Sequence, residues 1–146
     1  MKSTTEITIR NYHIDHFGHV NHARYVELLE EARWRYLEEN DLLESIHRVG
    51  AFHVVVKIAV QYRQGARIGD VLQIETQIDS RSKHSFCVGQ TAYIKASGKA
   101  AVEATITNVF VDGKGHPRPI ETDVLSIWPD LAAAVQLETG FEDRPR

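Results

Sequence analysis

Residues Tyr12 to Tyr25 read Tyr-His-Ile-Asp-His-Phe-Gly-His-Val-Asn-His-Ala-Arg-Tyr and join an alternating pattern to the longest helical pattern of the chain. The segment carries one carboxylate, Asp15, three residues before Gly18, and Asn21 three residues after that glycine. Asparagine often begins a helix, and the amides at a helix start carry partial positive charge that stabilises an oxyanion. The spacing therefore predicts a loop that brings an acid to the start of a helix, where chemistry can take place.

The flanking sequence predicts a strand before this segment and a helix after it. Residues 5–10 alternate polar and apolar side chains and are rich in β-branched types, which is typical of a strand with one buried face. From 22 to 40 apolar residues recur at helical spacing, and their stripe includes Tyr25, Leu28, Leu29, Ala32 and Tyr36. Asp41 is predicted to cap a shorter helix that runs to about Arg48 and ends at Gly50.

The rest of the chain has mostly strand patterns. Four long strands are predicted, at 52–64, 71–78, 84–94 and 100–111, and the segments between them are polar turns, including 79–83. Residues 121–137 are predicted to form a C-terminal helix interrupted at Pro129, and 140–146 a frayed end. One strand, one long helix and four strands predict an α+β domain, an antiparallel sheet with one helix on its face. The exposed edge of such a sheet commonly pairs with a second copy.

Length and composition favour one ordinary globular domain over residues 1–146. The chain is 42% hydrophobic and 25% charged, with a formal net charge of -3, so nucleic acid and a membrane surface are not expected as partners. One cysteine, Cys87, excludes an intrachain disulfide. The polar start shows no signal-peptide pattern, and we expect a cytoplasmic protein.

Asp15 is the first candidate for chemistry. As a general base it would activate water, and as a nucleophile it would attack a carbonyl. The alternative is that it only caps a turn, since aspartate before glycine is common in loops. His13, His16, His19 and His22 are spaced by three residues, but three of them precede the helix, so we expect no metal site. His22 is kept as a candidate because it lies at the first helical turn, where it could orient water or substrate.

A second candidate lies at the predicted turn 81–85, where Arg81, Ser82, Lys83, His84 and Ser85 form a short basic patch with hydroxyl groups. Such a patch can hold phosphates. A solvated hairpin explains the same residues equally well. No P-loop, dinucleotide-binding glycine pattern or nucleophile-elbow motif is present in the sequence.

Residues Asp15 to Tyr25, followed by Glu30-Glu31-Ala32-Arg33-Trp34, resemble the 4-hydroxybenzoyl-CoA thioesterase family of hotdog-fold proteins. Within that family the likeness is strongest to the bacterial long-chain acyl-CoA thioesterases. Tyr62-Arg63 and residues 69–74 also fit the family's strand-turn-strand pattern, and the likeness covers roughly residues 5 to 112.

The resemblance implies a curled antiparallel sheet of five or six strands around one long central helix, with a core at about residues 5–128. It also implies an acyl-CoA substrate, fatty or aromatic, and no metal or other cofactor. Two chains would pair their sheets edge to edge, with active sites at the interface, and dimers could pair into tetramers. Leu28, Leu29 and Ala32 are expected to line the acyl tunnel.

The resemblance also assigns residues. Asp15 would be the catalytic carboxylate, and His22 falls where a related branch has a functional histidine. Substrate contacts near the thioester are expected from Gly18, His19, Val20, Asn21 and Tyr25. Ser82, Lys83 and Ser85 align with the stretch that contacts the CoA nucleotide. His53 lies where a backbone amide polarises the carbonyl, so its side chain need not take part.

Two other functions fit the same residues. One is a thioesterase that acts on acyl groups carried by acyl carrier protein, because a basic patch suits either carrier. The other is a non-catalytic acyl-CoA binding or regulatory module on the same fold, against which the retained Asp15 argues by analogy. A hotdog dehydratase is disfavoured because its acid and histidine lie elsewhere relative to the helix. The preferred acyl chain is left open.

Overall fold

The computed structural model describes residues 2–138, and the central helix is the element around which they are arranged. Strand β1, Ser3–Thr8, leads through a short 3₁₀ turn, Asn11–His13, to helix α1, His22–Glu39. Asn21 begins α1 by accepting a hydrogen bond from the Ala23 amide at 2.9 Å, as predicted. A shorter helix α2, Leu42–Arg48, follows.

The sheet consists of four long strands and two short ones. The long strands are β2, Phe52–Tyr62, β3, Val71–Arg81, β4, Ser85–Ile94, and β5, Ala100–Val111. Together with β1 these strands pair antiparallel in the order β1-β3-β4-β5-β2, and β2 forms one edge. The chain ends with helix α3, Thr122–Leu125, helix α4, Pro129–Ala133, and a short strand β6, Val135–Gln136, parallel to β3.

The core lies between the buried stripe of α1 and one face of the sheet. On α1 the fully or nearly fully buried side chains are Tyr25, Leu28, Leu29, Ala32, Tyr36 and Leu37. In β4 every second residue is buried, so that strand shows the alternation of a sheet covered on one face. A curled sheet around a single long helix is the hotdog architecture, and the predicted fold class is confirmed.

The C-terminal segment closes one end of this core. Trp128 is buried and donates a hydrogen bond from Nε1 to the Tyr36 hydroxyl at 2.9 Å, and that hydroxyl lies 2.7 Å from a carboxylate oxygen of Asp130. The hydroxyl thus links α1 to the start of α4 through side chains that are far apart in the sequence.

Three details differ from the sequence-based prediction. The segment 79–81 is strand rather than turn, because β3 continues past a bulge at Asp79 and its Ser80 and Arg81 pair with β4. Asp41 does not cap α2 through its side chain, since its backbone is left-handed at φ 52°. The C-terminal helix is two short helices and a strand, and residues 140–146, predicted to fray, lie outside the described part. Among the residues that are described, no helix is long and apolar enough to cross a membrane.

Candidate active site

The loop that carries Asp15 is closed by its own backbone. The Asp15 amide donates to the His19 carbonyl at 2.7 Å, and the Gly18 amide donates to the Asp15 carbonyl at 3.1 Å. Gly18 has φ +81°, a conformation that glycine adopts without strain. The loop is therefore a rigid turn rather than a flexible link between β1 and α1.

The two oxygens of the Asp15 carboxylate have different surroundings. Oδ1 accepts hydrogen bonds from the amides of Phe17 at 2.9 Å and His19 at 3.1 Å. Oδ2 accepts no hydrogen bond from any residue of the described part. The side chain is thus oriented by one oxygen, and the other has no hydrogen bond within the described residues.

Asp15 is ionised at neutral pH. Burial by itself would raise the pKa of its carboxyl, but the His19 and Phe17 amides and the nearby His16 and His19 side chains outweigh it, and the pKa is lower than usual. A carboxylate, rather than a carboxylic acid, is the form that accepts a proton from water or attacks a carbonyl.

A second loop in the chain has the same geometry and gives the appropriate comparison. Asp112 Oδ1 accepts from the amides of Lys114 at 2.8 Å and His116 at 3.0 Å, and Gly115 has φ +83°. The pKa of Asp112 is also lowered, chiefly by the His116 amide. Both sequences read Asp-x-x-Gly-His. The hydrogen-bonded turn is therefore a structural motif, and a catalytic role for Asp15 depends on what surrounds it.

What distinguishes the Asp15 loop is the start of α1, which follows it directly. The Ala23 amide is occupied by the Asn21 side chain, and the Tyr25 amide donates to the Asn21 carbonyl at 3.2 Å. The amides of His22 and Arg24 have no acceptor among the described residues. The helix dipole adds partial positive charge there. Two amide donors are thus available to an anionic oxygen next to the loop.

The loop packs on the residues that follow β2. The Val20 amide donates to the Ala66 carbonyl at 2.9 Å, and the Ala66 amide donates to the Tyr25 hydroxyl at 3.0 Å. Gly65 leaves room for the His19 ring, because a Cβ at residue 65 would lie 2.7 Å from His19 Cγ. Tyr25 is buried and its hydroxyl is used inside the protein, so its part in substrate binding stays a prediction.

The histidines of the segment do not converge. His13 is buried and accepts a hydrogen bond from the Arg10 amide, whereas His16 and His22 are exposed. The His22 carbonyl accepts from the Tyr62 hydroxyl at 2.9 Å. Within residues 2–138, no group of three or more potential ligands is placed to hold a metal ion. The catalytic role of His22 stays a prediction.

At the predicted nucleotide-contact turn, only Lys83 presents its side chain to solvent. Ser82 and Ser85 are buried, and their hydroxyl oxygens lie 2.6 Å apart. These two hydroxyls hold the turn between β3 and β4 together. A contact between this turn and a phosphate therefore depends on Lys83 and on backbone groups.

A cavity of about 270 Å³ lies elsewhere, between the second half of α1, α2 and the sheet. The expected tunnel residues Leu28, Leu29 and Ala32 do not line it, because they are packed into the core. The helix face turned to it is instead that of Arg33, Trp34 and Leu37; further lining residues are His53, Phe86, Asn108 and Trp128. Sequence reasoning missed Arg33 because it directly follows Ala32 of the buried helical stripe, and it missed Asn108 because β5 contains several other polar residues.

The comparisons with known proteins agree with this fold. Residues 9–135 match the family model described as the thioesterase-like superfamily. The long-chain acyl-CoA thioesterase FadM of Escherichia coli (strain K12) is 38% identical over 110 residues, covering 75% of this chain and 83% of that protein. The acyl-CoA thioester hydrolase YbgC of Escherichia coli O6:H1 is 31% identical over 111 residues, covering 75% and 82%.

A solved structure gives the same result. The crystal structure of YbaW, a probable thioesterase from Escherichia coli, superposes with a TM-score of 0.81 at 32% sequence identity, covering 88% of this chain and 97% of that one. The hotdog architecture and the relatedness in sequence therefore point to the same group of proteins.

Proposed function

Because the chain belongs to the thioesterase-like superfamily, we propose that it is an acyl-CoA thioesterase and that Asp15 is its reacting carboxylate. The substrate would be a fatty or aromatic acyl-CoA, and the products a free acid and CoA. The observation that carries the proposal is the Asp15 carboxylate, oriented through Oδ1 and unbonded at Oδ2, next to the start of α1.

The chemistry needs only groups of this kind. As a general base, Asp15 Oδ2 would take a proton from water while the water oxygen attacks the thioester carbon. The carbonyl oxygen then becomes an oxyanion, which the free amides of His22 and Arg24 would stabilise. The C–S bond breaks, and the sulfur leaves as the CoA thiolate or takes the proton from Asp15. As a nucleophile, the same oxygen would attack the thioester carbon and expel the CoA thiolate, which leaves a mixed anhydride. Water would then open this anhydride, releasing the free acid and restoring the Asp15 carboxylate, while the remaining proton goes to the thiolate or to solvent.

The acyl group is proposed to enter the cavity, at a site that two chains share. The Asp15 loop packs at the Tyr62 end of β2, and His53 lies at the other end, separated by about 30 Å of strand at 3.3 Å per residue. None of the residues 13–22 lines the cavity. Within one chain, therefore, the carboxylate lies away from the His53 end of the cavity, which supports a site shared by two chains.

Pairing of two β2 strands would bring them together. No strand of the described part pairs with the outer side of β2, and Val54, Val55, Val56 and Ile58 are exposed along it. Antiparallel pairing about a two-fold axis would place the Tyr62 end of one strand beside the Phe52 end of the other. Each Asp15 would then lie at the mouth of the partner's cavity. We propose this homodimer, with pairing into a tetramer as a further step.

Two further parts of the proposal concern the carrier and the location. Lys83, exposed on the turn between β3 and β4, is proposed to contact a phosphate of CoA, and a cytoplasmic location is proposed from the sequence. The four-carbon stem of a lysine ends in a compact charge that suits phosphate. Hydrolysis of acyl groups on acyl carrier protein is the competing activity, and competition between the two carriers in one assay would separate them.

The test is thiol release from a panel of acyl-CoAs by wild type and Asp15→Asn. Asparagine keeps Oδ1 and its two amide hydrogen bonds but removes the charge, so the loop should stay intact while turnover falls by several orders of magnitude. Asp112→Asn is the matched control, because it makes the same change in a separate turn of the same geometry and should leave turnover unchanged.

Near-normal turnover by Asp15→Asn would refute the assignment of Asp15. Absence of thiol release from every acyl-CoA by folded wild-type protein would refute acyl-CoA hydrolysis. The acyl carrier protein assay and an acyl-CoA binding measurement would then separate the two remaining functions.

A further inference from the structure

The cavity is mainly apolar, but polar side chains from several elements also line it, and three of them, besides the Glu30 carboxylate on α1, are considered as ligand contacts. Arg33 comes from α1, His53 from β2 and Asn108 from β5, and all three line the cavity. Much of the remaining wall consists of aromatic and aliphatic side chains, among them Phe86 and Trp128. A few convergent polar groups in an apolar pocket are the usual means by which a protein orients one kind of ligand.

His53 is held by aromatic rings and lacks a hydrogen-bond partner at one nitrogen. Its ring centroid lies 5.6 Å from that of Phe86, 6.0 Å from that of Phe110 and 6.2 Å from that of Trp128. Nε2 is sealed from solvent and has no hydrogen bond within the described part of the chain. A buried nitrogen without a partner is unfavourable, so its retention calls for an explanation.

The ring can satisfy that nitrogen with a ligand. The side-chain torsion of histidine has two roughly equivalent orientations, so a half-turn moves each ring nitrogen to the position of a carbon. An oxygen in the cavity could then meet a nitrogen of His53. Asn108 is buried and lies close enough to interact with this ring, and its amide donates only a long hydrogen bond, 3.4 Å, to the Ile106 carbonyl.

Arg33 supplies the third group. Its Nη1 donates to the Gln90 side chain at 3.0 Å, and Gln90 is itself fixed by the Leu29 carbonyl and the Thr76 hydroxyl. Arg33 forms no ion pair with a carboxylate among residues 2–138. The Arg33 side chain lines the cavity, as does that of Glu30, and none of its nitrogens is buried without a hydrogen-bond partner. Arg33 and His53 line the same cavity.

We infer that this cavity selects acyl groups that carry an oxygen function away from the thioester, a hydroxyl or a carboxylate, over plain hydrocarbon acyl groups. The inference rests on the proposed thioesterase function. A plain chain would displace water from Arg33, His53 and Asn108 without replacing its hydrogen bonds, whereas an oxygen would restore them. The cavity volume limits the size of the acyl group. At about 30 Å³ for each water-sized group, 270 Å³ holds roughly nine non-hydrogen atoms.

The test compares matched acyl-CoAs that differ by one oxygen function. The pairs are hexanoyl against 6-hydroxyhexanoyl, hexanoyl against adipoyl, and phenylacetyl against 4-hydroxyphenylacetyl. We expect kcat/KM of the wild type to favour the oxygenated member of at least one pair by about tenfold or more. His53→Phe combined with Asn108→Leu should bring that ratio close to one.

A substitution at Arg33 distinguishes recognition of a carboxylate from recognition of a hydroxyl. Arg33→Gln should abolish a preference for adipoyl, which carries a carboxylate, and leave a preference for the hydroxyl compounds. A matched control is Thr91→Val, which changes a polar residue in a separate groove, one that Arg33, His53 and Asn108 do not line, and should leave every ratio unchanged. Substitution of a residue with a purely structural role would lower kcat/KM for both members of a pair together. The ratio therefore reports selection by the cavity.

A wild type that hydrolyses the plain member of every pair as well as the oxygenated one would overturn the inference while the thioesterase function stands. The same holds for a preference that survives the double variant. Binding of the pairs to Asp15→Asn, measured by calorimetry, tests the cavity independently of the reaction. Equal dissociation constants within every pair would overturn the inference even if no acyl-CoA is hydrolysed, and a tenfold difference that His53→Phe removes would support it.

Discussion

Replacing His53 with phenylalanine should make the free energy of unfolding less sensitive to acid. Burial of the ring lowers its pKa, the nearby side chains of His47 and Arg33 lower it further, and Asn108 opposes them, which leaves a pKa of about 4. In the unfolded chain the same ring has a pKa near 6.5. Folding therefore holds His53 neutral over a pH range in which the unfolded chain becomes charged.

The sign follows from the proton count. Between pH 6.5 and 4 the unfolded state binds a proton at His53 that the folded state does not, so stability is full above pH 6.5 and is lost as the pH falls towards 4. A difference of about 2.5 pKa units corresponds to roughly 3 kcal/mol, and partial exposure of the residue reduces the expected loss to about 2 kcal/mol. The His53→Phe variant has no titrating group at this position and should not lose this part of its free energy of unfolding at low pH.

Urea denaturation followed by tryptophan fluorescence measures the effect, at several pH values from 7.5 to 4.5. Other groups with lowered pKa values, such as His13, Asp15 and Asp112, are present in both proteins. Their contributions therefore cancel in the difference between the two free energies of unfolding. His116→Gln, at an exposed histidine, is the control and should follow the wild type. If the stabilities of wild type and His53→Phe run parallel over this pH range, the ring is not held neutral by burial.

Two further predictions test the geometry of the reacting loop and its partner. Gly65→Ala places a Cβ 2.7 Å from Cγ of His19 and should shift the loop, lowering turnover by roughly tenfold to a hundredfold, whereas Gly113→Ala, with 3.9 Å to its nearest neighbour, should have no effect. Equal turnover in both variants would mean that the His19 contact does not position the loop. In mixed dimers of Asp15→Asn with Ile78→Trp, which fills the cavity, one of the two sites is intact. Since random exchange of a one-to-one mixture makes about half of the dimers mixed, the mixture should regain up to about a quarter of the wild-type activity at equal protein concentration. If mass spectrometry shows that mixed dimers have formed and the mixture still regains no activity, the complete site lies within one chain.

Local sequence patterns were sufficient for most of the fold. The stripe from Tyr25 to Tyr36 follows the helical period, Asn21 caps the helix, and the strands alternate between two faces. The end of β3 was missed because a bulge at Asp79 shifts the alternation by one residue, and a polar run on an outward-facing strand looks like a turn. Bulges depend on the pairing partner, which sequence periodicity does not contain.

The two halves of the candidate site differ in how far the sequence could predict them. The Asp15 loop and the start of α1 are adjacent in the chain, so a local motif carries both. The cavity instead joins Arg33, His53 and Asn108, which lie on three elements and meet only after the sheet has formed. Both strands carry other polar residues, so no local pattern singles out positions 53 and 108, and their register on neighbouring strands β2 and β5 needed the structure.

The paired turns at Asp15 and Asp112 show why a motif alone does not define a catalytic residue. In each turn one carboxylate oxygen accepts two backbone amides, a glycine has positive φ and the pKa is lowered. Only the first turn leads directly into a long helix with unused amides at its start. Turn formation therefore accounts for Oδ1 in both cases, and the proposed catalysis concerns Oδ2 of Asp15 alone. Since asparagine preserves the Oδ1 contacts in either turn, a loss of turnover confined to Asp15→Asn would assign the effect to the charge at that position and not to the shape of the loop.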